Sequence, residues 1–281
     1  MKISHSSFVA VALFCGVQSA SAGVLVASDT FAPGANSASI TASTSGQGWQ
    51  SGWQTDVTKN PQNTVRIATP AGSTTGSMLE FAGNSDKAAF RTFANAQEDS
   101  LLIDFRFEYS GSLVNNSFMG LWFGDWDGPN IGLKANCGTG TEKIGKNTVA
   151  CTNDLFVRMG GTDGVFLPVS DVVAGTSYHL FGHLYKDGGS STYNRFDAWL
   201  NPTADEMQSL TGWDARATSS AKDAEKLTSI STIGFRTVNL PAGTTVRVDN
   251  LNVAQIPEPG SLSLMGLALA GLIAFSRRKR S

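Results

Sequence analysis

The chain has 281 residues, of which 41% are hydrophobic and only 16% charged, with 30 glycines and 9 prolines. That charge content lies well below the ~25% of an average soluble domain and excludes a disordered or coiled-coil chain. Five of the 21 basic residues stand at the two ends (Lys2, Arg277, Arg278, Lys279 and Arg280); with Glu258 set aside beside them, the body keeps 16 basic against 22 acidic residues. A body of that sign gains nothing from counterion release on a phosphate backbone, so nucleic acid is excluded as a partner.

Residues 1–22 read as a secretory signal peptide. Lys2 supplies the positive start, Phe8 to Val17 the apolar core, and Ala20-Ser21-Ala22 a small-x-small cleavage site, so the mature chain begins near Gly23. The apolar run is too short for a bilayer, which needs about 20 residues. Cys15 leaves with this segment, and Phe14 stands where a lipoprotein signal needs a small residue.

Residues 23–255 read as one body of strands and turns. The stretch from Ser28 to Gly76 is rich in Ser, Thr and Gly, but Trp49, Trp53, Val65 and Ile67 mark it as first strands joined by long loops. Leu101 to Tyr109 alternates cleanly: Leu101, Ile103, Phe105, Phe107 and Tyr109 share one face, and Asp104, Arg106 and Glu108 the other. Further strands are expected at Ser117 to Gly124 and Asp154 to Gly160. Ser177 to Lys186 and Tyr193 to Leu200 form a hairpin around a Lys-Asp-Gly-Gly turn. A short helix fits Thr203 to Leu210, capped by Thr203, and a second fits Ala221 to Leu227. Ser229 to Val238 and Thr244 to Ala254 close the set. Many short strands without alternating helices predict an all-β, two-sheet antiparallel sandwich.

After loss of the signal peptide two cysteines remain, Cys137 and Cys151. In an oxidising exported compartment an even pair reads as a disulfide. Closing the loop from Cys137 to Cys151, 15 residues counting both ends, removes about 3 kcal/mol of unfolded-chain entropy. Zinc is a poor alternative, because no CxxC pair or nearby His completes a ligand set. The Gly140 to Asn147 stretch nearly spells a phosphate loop, but Asn147 stands where Ser or Thr must hold magnesium.

His179 and His183 would grip one metal on a helix, but on a strand they stand about 13 Å apart, so their reading is structural. Asp104 and Glu108 are equally far apart, with Arg106 between them, and read as a solvated charge ladder rather than a catalytic pair. The turn Phe123 to Asn130 is less ordinary. Asp125, Asp127 and Asn130 gather oxygen ligands of the kind calcium takes, and Trp122 and Trp126 offer apolar ring faces to a sugar. A calcium or sugar site is one reading of this turn; a polar turn with Trp122 in the core is the other.

The C-terminal part, 256–281, has three pieces in order. Pro257-Glu258-Pro259 breaks regular structure, Leu262 to Phe275 is an uncharged apolar stretch, and Arg277-Arg278-Lys279-Arg280 follows at once. As a helix the apolar stretch reaches about 21 Å, short of a ~30 Å hydrocarbon core, and the basic cluster holds it with the body outside. This order resembles the PEP-CTERM sorting tail of exopolysaccharide-producing Gram-negative bacteria. The resemblance implies an exosortase as partner, passage through an inner-membrane intermediate, and delivery to the cell surface or extracellular matrix.

A second resemblance covers most of Asp29 to Ala254. Asp-Thr-Phe-Ala-Pro-Gly near the start, Gly-Gln-Gly-Trp-Gln-Ser-Gly-Trp after it, the hairpin ending in Trp199-Leu200-Asn201-Pro202, and the closing Val246-Arg247-Val248-Asp249-Asn250-Leu251 are similar to exported concanavalin A-like proteins. This implies a jelly roll. The Glu-x-Asp-x-x-Glu motif of laminarinase-type jelly rolls is absent. The expectation is a non-enzymatic exported protein that associates with extracellular polysaccharide. The rival is a divergent glycoside hydrolase whose carboxylates come from different strands.

Overall fold

The computed structural model describes residues 23–32, 40–43, 45–55, 65–69, 76–83, 86–135, 141–144, 147–150, 153–160, 164–167, 172–220 and 226–256. The first strands are β1 (Val24–Asp29), β2 (Gln54–Thr55), β3 (Val65–Ala68), β4 (Met78–Ala82), β5 (Asp86–Gln97) and β6 (Ser100–Ser110). The middle of the chain gives β7 (Phe118–Phe123), β8 (Asn130–Ala135), β9 (Thr141–Ile144), β10 (Asn147–Ala150), β11 (Asn153–Arg158) and β12 (Val165–Phe166). The last strands are β13 (Tyr178–Tyr185), β14 (Arg195–Leu200), β15 (Ala215–Thr218), β16 (Ile230–Val238) and β17 (Thr245–Ile256). One short helix, α1 (Ala204–Ser209), and a 3-10 turn at Ile40–Ala42 complete the described elements.

The strands form an antiparallel jelly-roll sandwich. One sheet has eight strands in the order β15-β14-β13-β6-β17-β4-β3, with β1 also on β17; the other has seven, β12-β11-β8-β7-β16-β5-β2. Successive long strands switch sheets, as β4, β5, β6 and β7 do, so each hydrophobic face meets the other across one core. Leu101, Ile103, Phe105 and Phe107 of β6 are all at most 1% exposed and pack with Leu121, Phe123, Ile131, Ile233 and Phe235 of the opposite sheet. The period-two pattern is therefore realised side chain by side chain. The expected hairpin also forms, with Leu180 opposite Leu200 and Tyr185 opposite Arg195.

A buried polar network closes the N-terminal side. Asp29, at the end of β1, pairs with Arg91 of β5 and accepts from the Trp53 indole at 2.7 Å and the Ser45 hydroxyl at 2.6 Å. Arg91 also donates to the carbonyls of Ser45 and Ser51, both at 2.7 Å, and lies over the Trp49 ring. Two buried charges persist in a core only when paired and hydrogen-bonded this fully. Residues 45–53 are thereby tied to β1 and β5.

Strand β17 runs through the middle of its sheet and bends once. Its pairing with β6 shifts between Asp249 and Asn252, where Asn250 adopts φ 53°. The Asp249 carboxylate accepts from the Asn250 amide at 2.7 Å, which holds that left-handed residue in place. Before this bulge β17 pairs with β4, and after it with β1. Val24 stands opposite Gln255, so the first and last strands of the body lie side by side.

Thr203 caps α1 as expected: its hydroxyl accepts from the Glu206 amide at 3.2 Å, and the Glu206 carboxylate accepts from the Thr203 amide at 2.8 Å. Residues 221–225 of the second expected helix, Cys137 and Cys151, the signal peptide and the tail from Pro257 onward lie outside the described residues. Among the described residues no helix is long and apolar enough to cross a membrane.

Candidate functional site

The outward face of the seven-stranded sheet is assembled from residues of non-core parity. Three cross-strand rows follow from the register. The first runs Asp154, Lys134, Phe118, Val238, Asp86; the second Phe166, Phe156, Gly132, Gly120, Arg236, Ala88; the third Arg158, Asn130, Trp122, Gly234, Phe90. Glycines at the centre let rings lie along the sheet. A Cβ on Gly120 would come within 2.7 Å of the Phe118 ring, and one on Gly234 within 2.6 Å of the Trp122 ring.

These rows frame a groove of about 420 Å³ lined by Asn116, Phe118, Lys134, Phe156, Arg158, Gly164, Phe166, Arg236, Val238 and Asn239. Phe156 forms the bottom, with Phe118 at 5.4 Å and Phe166 at 6.4 Å between ring centroids. Phe166 is 40% exposed, so one ring face is open to solvent. Arg158 lies against Phe118 and Phe156, 5.5 and 5.7 Å from their centroids. Its Nε donates to Asn130 Oδ1 at 2.8 Å. Burial lowers the Arg158 pKa, Arg236 pushes it the same way, and Asp127 opposes both. Arg236 donates to both oxygens of Asp86, at 3.0 and 2.9 Å, and faces the Trp126 ring at 5.1 Å. Beyond Arg236 a shallower hollow of about 330 Å³ continues along Asp125, Trp126 and Asp127.

The turn singled out in the sequence therefore forms one end of the groove, but its residues divide. Trp126 and the exposed Asp125 and Asp127 edge the shallow hollow. Trp122 is only 4% exposed, with its indole nitrogen buried and without a hydrogen-bond partner. Asn130 is 1% exposed, and its amide is committed to Arg158 and, at 2.9 Å, to the Gly128 carbonyl. One Asp125 carboxylate oxygen already accepts from the Trp126 amide. Among the described residues no three His, Cys, Asp or Glu side chains gather as a metal would require.

The groove's own rings and cations were not singled out from sequence. The signal was parity: Phe156 and Arg158, or Phe118 and Gly120, alternate with core residues and so face outward. What parity does not tell is that four strands, far apart in sequence, place them together.

On the eight-stranded sheet the histidines part company. His179 Nε2 sits 2.9 Å from Asp104 Oδ1. His183 stacks on Tyr185 at 4.2 Å, and burial lowers its pKa to about 4. The ladder expected around Arg106 runs across strands instead: Glu80 binds Arg66 and Arg247, and Arg247 reaches Glu108 at 3.1 Å.

Against known proteins the informative match is at the C-terminus. Residues 255–279 carry the PEP-CTERM protein-sorting motif. The PEP-CTERM motif marks an exported protein processed at the membrane, and it begins within the last two residues of β17. No curated protein matches the chain. In fold the chain is similar to the carbohydrate recognition domain of Emp47p, with 10% identity, a TM-score of 0.47, and coverage of 82% of this chain and 95% of that one. It is likewise similar to a glycosyl hydrolase family 16 protein from Mycobacterium smegmatis, with 12% identity, TM-score 0.47, and coverage of 82% and 99%. Domain 4 of AbnA, an extracellular arabinanase from Geobacillus stearothermophilus, gives 12% identity, TM-score 0.46, and coverage of 83% and 93%.

Proposed function

We propose that this is an exported glycan-binding protein, sorted through its PEP-CTERM tail by an exosortase and displayed at the cell surface or in the extracellular matrix. The observation that carries the binding reading is the groove. Its described lining combines three phenylalanines, two asparagines and three cations, and includes no carboxylate. Apolar ring faces meet the CH-rich faces of pyranoses, while amides and guanidinium groups meet hydroxyls. A glycosidase would bring two carboxyls about 5 to 9.5 Å apart into such a groove. The described lining supports binding over hydrolysis.

The chain path supports an oriented display. Val238 and Asn239 line the groove, and β17 starts a few residues later at Thr245 and runs 12 residues to Ile256. At ~3.3 Å per residue the tail leaves the sheet more than 30 Å along the strand from that start. While the tail holds the membrane, the groove end faces away from it.

Two measurements test the reading. Affinity electrophoresis of the mature protein in gels containing soluble polysaccharides should retard wild type, and Phe118→Ala with Phe166→Ala should migrate as in an empty gel. In an exosortase-containing host, Pro257-Glu258-Pro259 replaced by alanines should stay membrane-anchored while wild type is released. Hydrolysis of the polysaccharide, or equal release of both forms, would refute the corresponding half.

A further inference from the structure

We propose that Asn116 and Asn239 are the specificity-determining residues of the groove, and that their side-chain amides select which hydroxyl configuration of a sugar it accepts. The inference rests on the glycan-binding reading and deepens it. Both residues line the groove, one just before β7 and the other just after β16. Register places Val238 opposite Phe118, so the two asparagines stand together at one end of the groove, beside that pair.

Both have left-handed backbones, with φ 63° at Asn116 and 54° at Asn239. Glycine is the default in that region, and asparagine is tolerated chiefly because its short side chain can bond locally. Two other left-handed asparagines do so. Asn201 (φ 51°) accepts from the His179 amide on Oδ1 at 2.9 Å, and Asn250 (φ 53°) donates from Nδ2 to Asp249 at 3.0 Å. The groove pair differs. The Asn116 side chain makes no hydrogen bond among the described residues, and Asn239 gives only a long one, 3.4 Å, to the Asn116 carbonyl. In the same loop as Asn239, Gly243 makes a left-handed turn (φ 82°) in open space with no side chain at all. A side chain thus stands at the two left-handed positions that border the groove, and its amide is hardly spent on the protein.

These turns are fixed without a ligand. Ser117 is 0% exposed; its hydroxyl donates to the Asn239 carbonyl at 2.8 Å and accepts from the Val114 amide at 3.0 Å. The Asn116 backbone N–H donates to the Ala135 carbonyl at 2.8 Å. One buried hydroxyl therefore ties the loop before β7 to the loop after β16. A carboxamide offers an acceptor and a pair of donors, so it meets a hydroxyl in either role. A phenyl face takes any pyranose with a CH-rich side, whereas an epimer that leaves a hydrogen-bonding group unpaired loses binding. Retention falls to the rings, and discrimination to the amides.

The test is affinity electrophoresis of the mature protein against laminarin, mixed-linkage β-glucan, xylan, glucomannan, galactomannan and alginate, which ranks them by binding. Asn116→Gly and Asn239→Gly keep the left-handed turn and remove the amide; Asn116→Asp keeps the volume and removes the donors. Each should weaken binding of the first-ranked polymer about three- to tenfold and narrow the gap to the next in rank. Phe166→Ala should instead weaken all polymers in parallel and keep the ranking. Asn201→Gly, away from the groove, should bind as wild type does. Thermal unfolding of each variant separates lost binding from lost fold. Unchanged binding and ranking in the groove variants would overturn the proposal and leave Asn116 and Asn239 as turn residues. Parallel weakening of every polymer would overturn it too, because the amides would then retain without discriminating. Wild type retained by none of these polymers would overturn the glycan reading itself.

Discussion

The two outward faces of the sandwich use similar residues to opposite ends. On the eight-stranded sheet, charges meet across neighbouring strands: Arg66 and Arg247 on Glu80, Arg247 on Glu108, His179 beside Asp104, and Arg216 on Asp197 through two bonds of 2.6 and 2.7 Å. Trp199, which packs on Phe181 at 5.3 Å between ring centroids, is buried, and the Thr211 carbonyl accepts from its indole at 3.0 Å. On the seven-stranded sheet, glycines occupy the centre, rings lie along the surface, and three cations border a hollow. On the first face most charges are paired across strands, although the buried His183 Nε2 has no hydrogen-bond partner; the second carries the Arg236–Asp86 pair and leaves a shaped space with an open ring. The proposed binding reading assigns the ligand to the second face and a structural role to the first.

The largest effect should come from the matched face. Arg247→Met removes one of two partners from Glu80, whose side chain is 2% exposed. Burial raises the Glu80 pKa, but its bonds to Arg247 and Arg66 bring it below its ordinary value. Glu80 keeps Arg66, so the loss should be about 1.5 to 3 kcal/mol, the range for a hydrogen bond to a charged group. For a domain of this size that corresponds to roughly 3 to 12 °C in Tm. Calorimetry should show this drop while polysaccharide binding is unchanged; lost binding would mean the two faces are not independent.

A pH dependence on the same face should be nearly as large. His183 is held at about 4 in the folded chain, against an ordinary 6.5, chiefly by burial. Above pH 6.5 the imidazole is neutral in both states and contributes no pH dependence. Below 6.5 the unfolded chain takes up a proton that the folded chain refuses, so stability falls until the folded pKa is reached. The total is at most about 3 kcal/mol. His183→Phe should flatten the Tm profile between pH 6.5 and 5, and an unchanged slope would place the titration elsewhere.

The fold was legible because its signal is local. Alternation in β6 needs only neighbouring residues, and Leu101, Ile103, Phe105, Phe107 and Tyr109, which share one face, are all buried. The groove was not, because it is built from register. Phe118, Lys134, Phe156 and Arg236 are adjacent only after β7, β8, β11 and β16 align. Composition drew attention to Trp122 because tryptophan suits sugar stacking, yet Gly234 lets that ring lie into the sheet, and open ring area falls to Phe166 instead. The charged face of β6 is solvent-facing as its alternation implies, but the partners of Asp104 and Glu108, His179 and Arg247, stand on neighbouring strands and follow only from register.

On the groove face, Phe166→Ala should weaken polysaccharide binding about tenfold, the equivalent of ~1.4 kcal/mol, with little change in Tm because the side chain is 40% exposed. Calorimetric titration reads both. The smallest effect is expected at Trp122. Its buried indole nitrogen has no hydrogen-bond partner, so Trp122→Phe sheds an unsatisfied donor while losing some packing. These terms oppose each other, and the net change in stability should stay within about 1 kcal/mol. A much larger loss in chemical denaturation would show that the indole nitrogen is bonded in solution.

The central claim, that one face binds and the other only supports, is tested most directly by NMR. Isotope-labelled mature protein would be titrated with oligosaccharides from a polysaccharide it retains. Backbone and side-chain shifts should concentrate at Phe118, Lys134, Phe156, Arg158, Phe166 and Arg236, and Glu80, Arg247, Asp197 and Arg216 should stay still. Shifts centred on the ion-paired face, with the groove silent, would contradict the account.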